Sequence, residues 1–101
     1  MIKVSILYPF TNNFNWTYYL NTHTPMVKQV MGAALKKVEI DHGLGGATPG
    51  TGAAFVCICN LHFDSMATFQ PVLATHGGTI VADFPHFTTV PPVIQVSEVK
   101  M

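Results

Sequence analysis

Residues 53–63 read A-A-F-V-C-I-C-N-L-H-F, and this stretch decides the fold because it predicts a strand that is apolar on both faces. Alternation places one set of side chains on the first face: Phe55, Cys57, Cys59, Leu61 and Phe63. The other face carries Val56, Ile58, Asn60 and His62. A sheet built around such a strand needs helices on one side and a partner on the other. The stretch therefore predicts an α+β layer that pairs with a second copy of itself.

Three more strands are predicted around it, over residues 1–8, 35–42 and 93–99. The connector at residues 43–52, G-L-G-G-A-T-P-G-T-G, is rich in glycine, and such loops bind phosphate where they lead into the N-terminus of a helix. This connector leads into the 53–63 strand instead. A hairpin connection is therefore the favoured interpretation.

The first helix is predicted between the first two strands. It runs from about Asn15 to His23, restarts at Thr24-Pro25 and ends at Gly32. In the restart, threonine is the N-cap and proline takes the first helical position. This arrangement predicts a kink at His23.

The second helix is predicted to begin after Asp64 or Ser65 as its N-cap and to carry apolar residues at helical spacing as far as His76. Pro71 is expected to bend or divide it, because a proline inside a helix removes a hydrogen bond. The pair Gly77-Gly78 is expected to end it. Residues 79–83 are then predicted to be a short turn, followed by an aromatic and proline-rich loop.

The predicted order of elements is βαββαβ, a ferredoxin-like α+β fold with a four-stranded antiparallel sheet and helices on one face. The length of 101 residues predicts one domain, residues 1–101. Charged residues make up 10% of the chain, against about a quarter in ordinary soluble domains, and 49% are hydrophobic. So low a charge content predicts that apolar surface is buried against another subunit.

Composition also argues against several classes of function. Arginine is absent, the net charge is zero and the five lysines are scattered, so the chain has no basic surface for nucleic acid. No window approaches the ~20 apolar residues of a membrane-spanning helix, and the first residues lack a signal-peptide core. We therefore expect a cytoplasmic homo-oligomer with no membrane partner. Cys57 and Cys59 have the wrong spacing for a redox or zinc motif and are interpreted as small buried hydrophobic residues.

The chemical lead is His23, within the sequence W-T-Y-Y-L-N-T-H-T-P-M-V at residues 16–27. A titratable ring in an aromatic crevice is a candidate acid or base. The alternative is a core histidine with both ring nitrogens hydrogen-bonded, and spacing alone favours that interpretation. Helical spacing places His23 in an apolar stripe with Trp16, Tyr19, Leu20, Val27 and Val30.

A second histidine is suggested by a local repeat. L-N-T-H ends the first helical piece at His23, and L-A-T-H is expected to end the second helix at His76. The two crossover helices of a split βαβ fold run roughly parallel, so both imidazoles are expected at the same edge of the sheet, where they suit a site.

Metal binding is a further interpretation, because the chain has five histidines besides Asp41, Asp64 and Asp83. No two histidines have the i,i+4 spacing that places two ligands on one helix face, and no Cys-x-x-Cys is present. We expect neither a metal nor another cofactor.

Several segments together resemble the EthD family, which is named for ethyl tert-butyl ether degradation. The resemblance extends over essentially the whole chain and implies a dimeric α+β barrel, in which two four-stranded sheets face each other inside a layer of helices. It also implies a pocket between helices and sheet in each protomer, with His23 as the functional residue. Pro71 departs from a normally uninterrupted second helix and leaves the placement of His76 open. The matching segments are M-I-K-V-S-I-L-Y-P, W-T-Y-Y-L-N-T-H-T-P-M-V, L-H-F-D-S-M-A-T-F, A-D-F-P-H-F-T and P-V-I-Q-V-S-E-V.

The resulting hypothesis is an EthD-like enzyme without a cofactor, in which His23 acts as acid or base on a small hydrophobic metabolite and His76 assists it. Relatives that share the barrel suggest isomerase, cyclase or monooxygenase-like chemistry in a catabolic or biosynthetic pathway. The alternative is a carrier or accessory protein that binds the same kind of molecule without turnover. Alternation leaves open whether Asn60 and Ser5 line the pocket or pair across the dimer interface. The predicted substrate-binding residues are Trp16, Tyr19, Asn60, Phe84 and Phe87.

Overall fold

A computed structural model describes residues 1–101 and has the predicted βαββαβ order of elements. A π turn (Tyr19–His23) joins the first two helical segments, and short 3-10 turns follow the second and third. The elements are β1 (Ile2–Pro9), α1 (Trp16–Tyr18), α2 (Thr24–Met31), β2 (Lys37–His42), β3 (Phe55–Phe63), α3 (Met66–Asp83) and β4 (Val93–Glu98).

The four strands form one antiparallel sheet in the order β2-β3-β1-β4, so the ferredoxin-like prediction is confirmed. The two central strands pair from Ile2 opposite Phe63 to Tyr8 opposite Cys57. Every second residue of β1 is buried, which gives the strand one face toward the helices and one face away from them. The hydrophobic core lies between the helices and this face of the sheet, and Cys57 and Cys59 are buried in it as predicted.

The first helical region differs from the prediction of a restart at Thr24. Asn15 is the N-cap of the region, because its Oδ1 accepts a hydrogen bond from the Tyr18 N–H at 3.0 Å. Thr24 has helical backbone angles and makes no capping hydrogen bond, so its assignment as an N-cap was wrong. The irregularity expected at His23 takes the form of the π turn. This wider turn accommodates Pro25, whose ring lacks an N–H and crowds the carbonyl four residues earlier.

The second helix is longer than predicted. Ser65 caps it in a capping box with Thr68, but the helix passes through Pro71 and through Gly77-Gly78 and ends only at Asp83. The prediction of a helix end at the two glycines and a turn over 79–83 was therefore wrong. Glycine in a helix interior costs about 1 kcal/mol relative to alanine, and tertiary packing overrides this cost here. The extension matters for the site because it carries Asp83 to the helix C-terminus.

The far face of the sheet is covered by no helix and mixes apolar with polar residues. The Ser5 hydroxyl donates to Asn60 Oδ1 at 2.8 Å, and His62 Nε2 lies 2.9 Å from Glu39 Oε1. The expectation that this face is largely apolar holds for only part of one cross-strand row, in which Ile58, Leu7 and Val93 lie side by side and Asp41 of β2 forms the end. Pairing of this face with a second copy stays a prediction.

Candidate functional site

A cavity of about 130 Å³ lies between the helices and the sheet. Sixteen of its 19 lining residues are hydrophobic, and the others are His23, Thr24 and Gly77. Its floor comes from the helix-facing side chains of β1 and β3, and its walls come from the π turn, α2 and α3. His23 is therefore the one strongly polar side chain in an otherwise apolar lining.

The cavity opens at the edge of the sheet. The side chains of Ile94 and Val96 on β4 point toward the helix side, as their pairing with Ile6 and Val4 requires, and yet both are exposed. Leu73 and Val81 of α3 face them across the opening and are also exposed. A mouth with apolar walls admits apolar molecules and repels ions.

His23 is the last residue of the π turn and is 3% exposed. Its Nδ1 lies 2.7 Å from Asp83 Oδ2. The other oxygen of Asp83 accepts a hydrogen bond from the Tyr18 hydroxyl at 2.7 Å and lies 3.0 Å from His86 Nδ1. Asp83 thus joins the π turn, the start of the first helical region and the 3-10 turn that follows α3.

The protonation states of this cluster follow from burial and hydrogen bonding. Burial raises the pKa of Asp83, but hydrogen bonds from Tyr18, His23 and His86 lower it by more, so the net shift is downward and the carboxylate is ionised at neutral pH. Burial lowers the pKa of His23 and outweighs the opposing hydrogen bond and charge of Asp83. His23 is therefore neutral near pH 7.

These states fix the tautomer of the His23 ring. An ionised carboxylate only accepts hydrogen bonds, so the proton of the neutral imidazole sits on Nδ1 and is donated to Asp83. The hydroxyl of Tyr8 is the one enclosed side-chain polar atom without a partner. Nε2 of His23 also has no partner but is not enclosed, and because Nδ1 is held by Asp83, Nε2 is the ring nitrogen left for a molecule in the cavity that His23 lines.

Aromatic rings hold the imidazole in place. The Tyr19 ring stacks on it at an interplanar angle of 17° with 5.5 Å between centroids. The Phe87 centroid lies 4.5 Å away and that of Phe84 5.9 Å away, both tilted. Of these predicted substrate-binding residues, Tyr19 and Phe84 line the cavity, whereas Phe87 contacts His23 without lining it.

The structure does not bring the other predicted site residues to the cavity. Trp16 packs on Phe14 and His42, with centroids 4.8 and 4.6 Å away. Asn60 lies on the far face of the sheet, bonded to Ser5. His76 is half-buried on α3 and is absent from the cavity lining, so the two predicted histidines do not meet there.

Asp83 is the residue that sequence reasoning did not assign to this site. It was weighed only as a metal ligand, because a helix expected to end at Gly78 leaves residue 83 in a turn. The available signal was the helical spacing of apolar residues, which continues beyond the glycines through Ile80 to Phe84. Extending the helix along that spacing would have placed Asp83 on the last turn.

Tyr8 and the two cysteines lie at the sheet side of the core. Burial raises the pKa of Cys57 to about 12 and that of Cys59 to about 11, so both thiols stay protonated and unreactive at neutral pH. Burial likewise raises the pKa of Tyr8 and of Tyr19. His23 is therefore the one lining side chain that titrates near neutral pH.

Two other properties of the chain bear on function. No group of three or more His, Cys, Asp and Glu side chains lies close enough together to hold a metal ion. None of the helices combines the length and the apolar character that crossing a membrane requires.

Comparison with protein families matches residues 8–91 to the EthD domain. Among solved structures, the chain is similar to an EthD-like protein from Ralstonia eutropha JMP134, with 37% sequence identity and a TM-score of 0.91 over 99% of this chain and 92% of that chain. It is also similar in fold to an EthD family protein from Bacillus halodurans C-125, with 20% identity and a TM-score of 0.79 over 99% of both chains. No curated protein matches the sequence.

Proposed function

The chain belongs to the EthD family, and we propose that it binds a small hydrophobic molecule in the cavity and transfers a proton through His23. The reaction in this proposal needs no bound metal or organic cofactor. The observation that carries it is the His23–Asp83 pair at 2.7 Å, which leaves Nε2 as an unpaired base on an apolar cavity.

The pair supports base catalysis for two reasons. A neutral imidazole accepts a proton, and burial keeps His23 neutral near pH 7. Once Nε2 takes a proton, the ring becomes a cation beside the Asp83 carboxylate, which stabilises the charge and holds the ring orientation. In catalytic triads, likewise, the histidine takes the proton while a buried carboxylate orients the ring and stabilises its positive charge.

The surroundings support the same function. An apolar cavity with an apolar mouth takes up a hydrophobic substrate and excludes water around the reacting atoms. A low-polarity site also strengthens the charge interaction between His23 and Asp83 when the proton is transferred.

The test begins with the molecule that the protein carries. Gently purified protein is examined by native mass spectrometry, any molecule released on denaturation is identified, and its conversion is followed by NMR. We expect His23→Gln to lower kcat/KM by about 10²–10⁴-fold, the usual contribution of an acid or base. His42→Gln, at an exposed histidine outside the cavity, is the matched control and should retain full activity. Turnover that survives His23→Gln within a few-fold would disprove the proposal.

His76→Gln tests the prediction that a second histidine assists. Because His76 does not line the cavity, we expect kcat to stay within about twofold of the wild-type value, a small effect on the scale of acid–base catalysis. A loss of activity comparable to that in His23→Gln would support an assisting role for His76.

A carrier is the second candidate function. The observation that favours it is that only one lining residue titrates near neutral pH, whereas many acid–base enzymes use a pair. Recovery of the bound molecule unchanged after long incubation with wild-type protein would support the carrier, and appearance of a product would support the enzyme.

A further inference from the structure

We infer that the ligand of this cavity is a neutral molecule with one six-membered ring or a chain of similar size, which donates a hydrogen bond from a hydroxyl group to Nε2 of His23. Phenols and small alicyclic or enolic alcohols are the chemical class that fits. The inference rests on the proposed function because it places the ligand at the same base, and it adds the charge, size and polarity of the molecule.

Charge is the first restriction. No lysine, aspartate or glutamate lines the cavity, and the chain contains no arginine. The nearest ionised group to the polar end of the cavity is the Asp83 carboxylate, directly behind His23. A carboxylate or phosphate in the cavity would lose its hydration, gain no cation and meet a negative charge. The site therefore selects neutral ligands.

Hydrogen-bond polarity is the second restriction. Asp83 accepts the Nδ1 proton of His23, so Nε2 offers only a lone pair. A ketone, aldehyde or ether would bring a second lone pair against it and gain no hydrogen bond from His23. A hydroxyl group donates a hydrogen bond to this lone pair. Its proton is then in position for transfer to Nε2.

Size is the third restriction. The cavity measures about 130 Å³. An engineered apolar cavity of about 150 Å³ binds benzene, so the space here matches a single ring. A substituent that does not fit in the cavity beside the ring must extend through the mouth between α3 and β4. The exposed apolar side chains there can contact alkyl groups but offer no partner to an ion.

The experiment compares four probes of nearly equal size, namely phenol, toluene, benzaldehyde and benzoate, by NMR titration and calorimetry at pH 7. Phenol and toluene have the same shape, so an apolar cavity without an acceptor prefers toluene, the more hydrophobic of the two. We expect phenol to bind at least fivefold more tightly than toluene and benzaldehyde, and at least tenfold more tightly than benzoate. The inference would be overturned if toluene, benzaldehyde or benzoate bound as tightly as phenol or more tightly. Failure of all four probes to bind would overturn it too.

Variants assign the preference to its atom. In His23→Leu, the preference for phenol over toluene should vanish while toluene still binds, which also shows that the variant is folded. In Asp83→Asn, the amide can donate to Nδ1 and move the ring proton to Nε2, so the preference should shift from phenol toward benzaldehyde. In Tyr8→Phe, the preference for phenol should persist. Loss of the preference in Tyr8→Phe, with its survival in His23→Leu, would contradict the assignment and point to the unpartnered Tyr8 hydroxyl instead.

The outcome for the ligand and the outcome for proton transfer are separate. Selective binding of phenol without any His23-dependent turnover would uphold the ligand class and reject catalysis. His23-dependent turnover with binding of benzoate as tight as that of phenol would uphold catalysis and reject the ligand class.

Discussion

Two opposing effects act on the His23 ring, and both arise from its place at the end of the π turn. Burial disfavours the charged ring and lowers its pKa below the ordinary 6.5, whereas the hydrogen bond and charge of Asp83 raise it again in part. The balance leaves a neutral base with a defined tautomer. A buried histidine without the carboxylate would be equally neutral, but its proton would be free to sit on either nitrogen.

Asp83→Asn should therefore lower the pKa of His23 further, because the substitution removes the raising effects and leaves burial unchanged. The measurement is an NMR titration of the His23 ring in both proteins. If turnover depends on neutral His23, the acidic limb of its pH profile should move to lower pH in the variant. Tyr18→Phe is the control, because it removes another partner of Asp83 and leaves the His23 contact in place. A higher His23 pKa in Asp83→Asn would show that the carboxylate does not act as described.

At this scale the sequence singled out the buried histidine, His23, and missed its carboxylate partner, Asp83. His23 stands out because its neighbours at helical spacing are apolar and aromatic, and this pattern is visible within the fifteen residues from Trp16 to Val30. The partner lies 60 residues away, and only the true length of α3 brings it close. Alternation alone could not decide on which face of the sheet Asn60 lies relative to the helices. It separates the two faces of a strand without showing which one the helices cover.

Among the elements, α3 shows how packing overrides local preference. Its two central glycines suggest a helix end, yet they sit in different surroundings within an unbroken helix. A Cβ built on Gly77 would lie 3.0 Å from Leu73 Cδ1, whereas one on Gly78 would meet no atom within 4 Å. The absence of a side chain at Gly77 thus leaves room for Leu73 at the cavity wall. No neighbouring atom requires a glycine at position 78.

Gly78→Ala should raise the free energy of unfolding by about 0.5–1 kcal/mol, because alanine loses less conformational entropy than glycine in a helix. Gly77→Ala should raise it by less, since the Leu73 side chain must move to make room. Urea denaturation of the two variants beside the wild type measures the difference. Greater stabilisation by Gly77→Ala than by Gly78→Ala would contradict this account of the cavity wall.

The strands were easier to predict than the helices, for a physical reason. The alternation that indicates a strand lies within the strand's own residues. All four strands were therefore predicted, and their observed ends differ from the predicted ones by a few residues. Helix ends depend on what the following residues pack against. Pro25 indicated an irregularity at His23 but not that it is a π turn, and the apolar spacing that continues past Gly78 is a weaker local signal than the two glycines.

For the whole molecule, the uncovered face of the sheet and the low charge of the chain favour a homodimer. We propose that this face pairs with a second copy through the row of Leu7, Ile58 and Val93. Polar side chains beside this row, such as Ser5 and Asn60, already bond within one chain and can enter an interface at little cost.

Leu7→Lys should convert the dimer to a monomer, because a buried lysine in a symmetric interface brings two unpaired charges together. Native mass spectrometry and light scattering measure the change in mass. Leu44→Lys, at a leucine that is 96% exposed in the connector, is the control and should leave the assembly unchanged. A wild-type monomer at micromolar concentration, or a Leu7→Lys dimer as stable as the wild type, would reject this interface.

The π turn also bears on how this chain tolerates insertion and deletion. Tyr19–His23 uses i→i−5 hydrogen bonds where an α-helix uses i→i−4, so this turn holds one residue more than the same turn of an α-helix. Loss of that residue would restore regular α-helix and leave the orientation of α2 nearly unchanged. Loss of a residue inside α2 would instead rotate the residues beyond it by about 100° and turn Met31 out of the core. The π turn is therefore the place in this helical region where an alignment can hold a one-residue gap without shifting the later helix positions relative to the sheet.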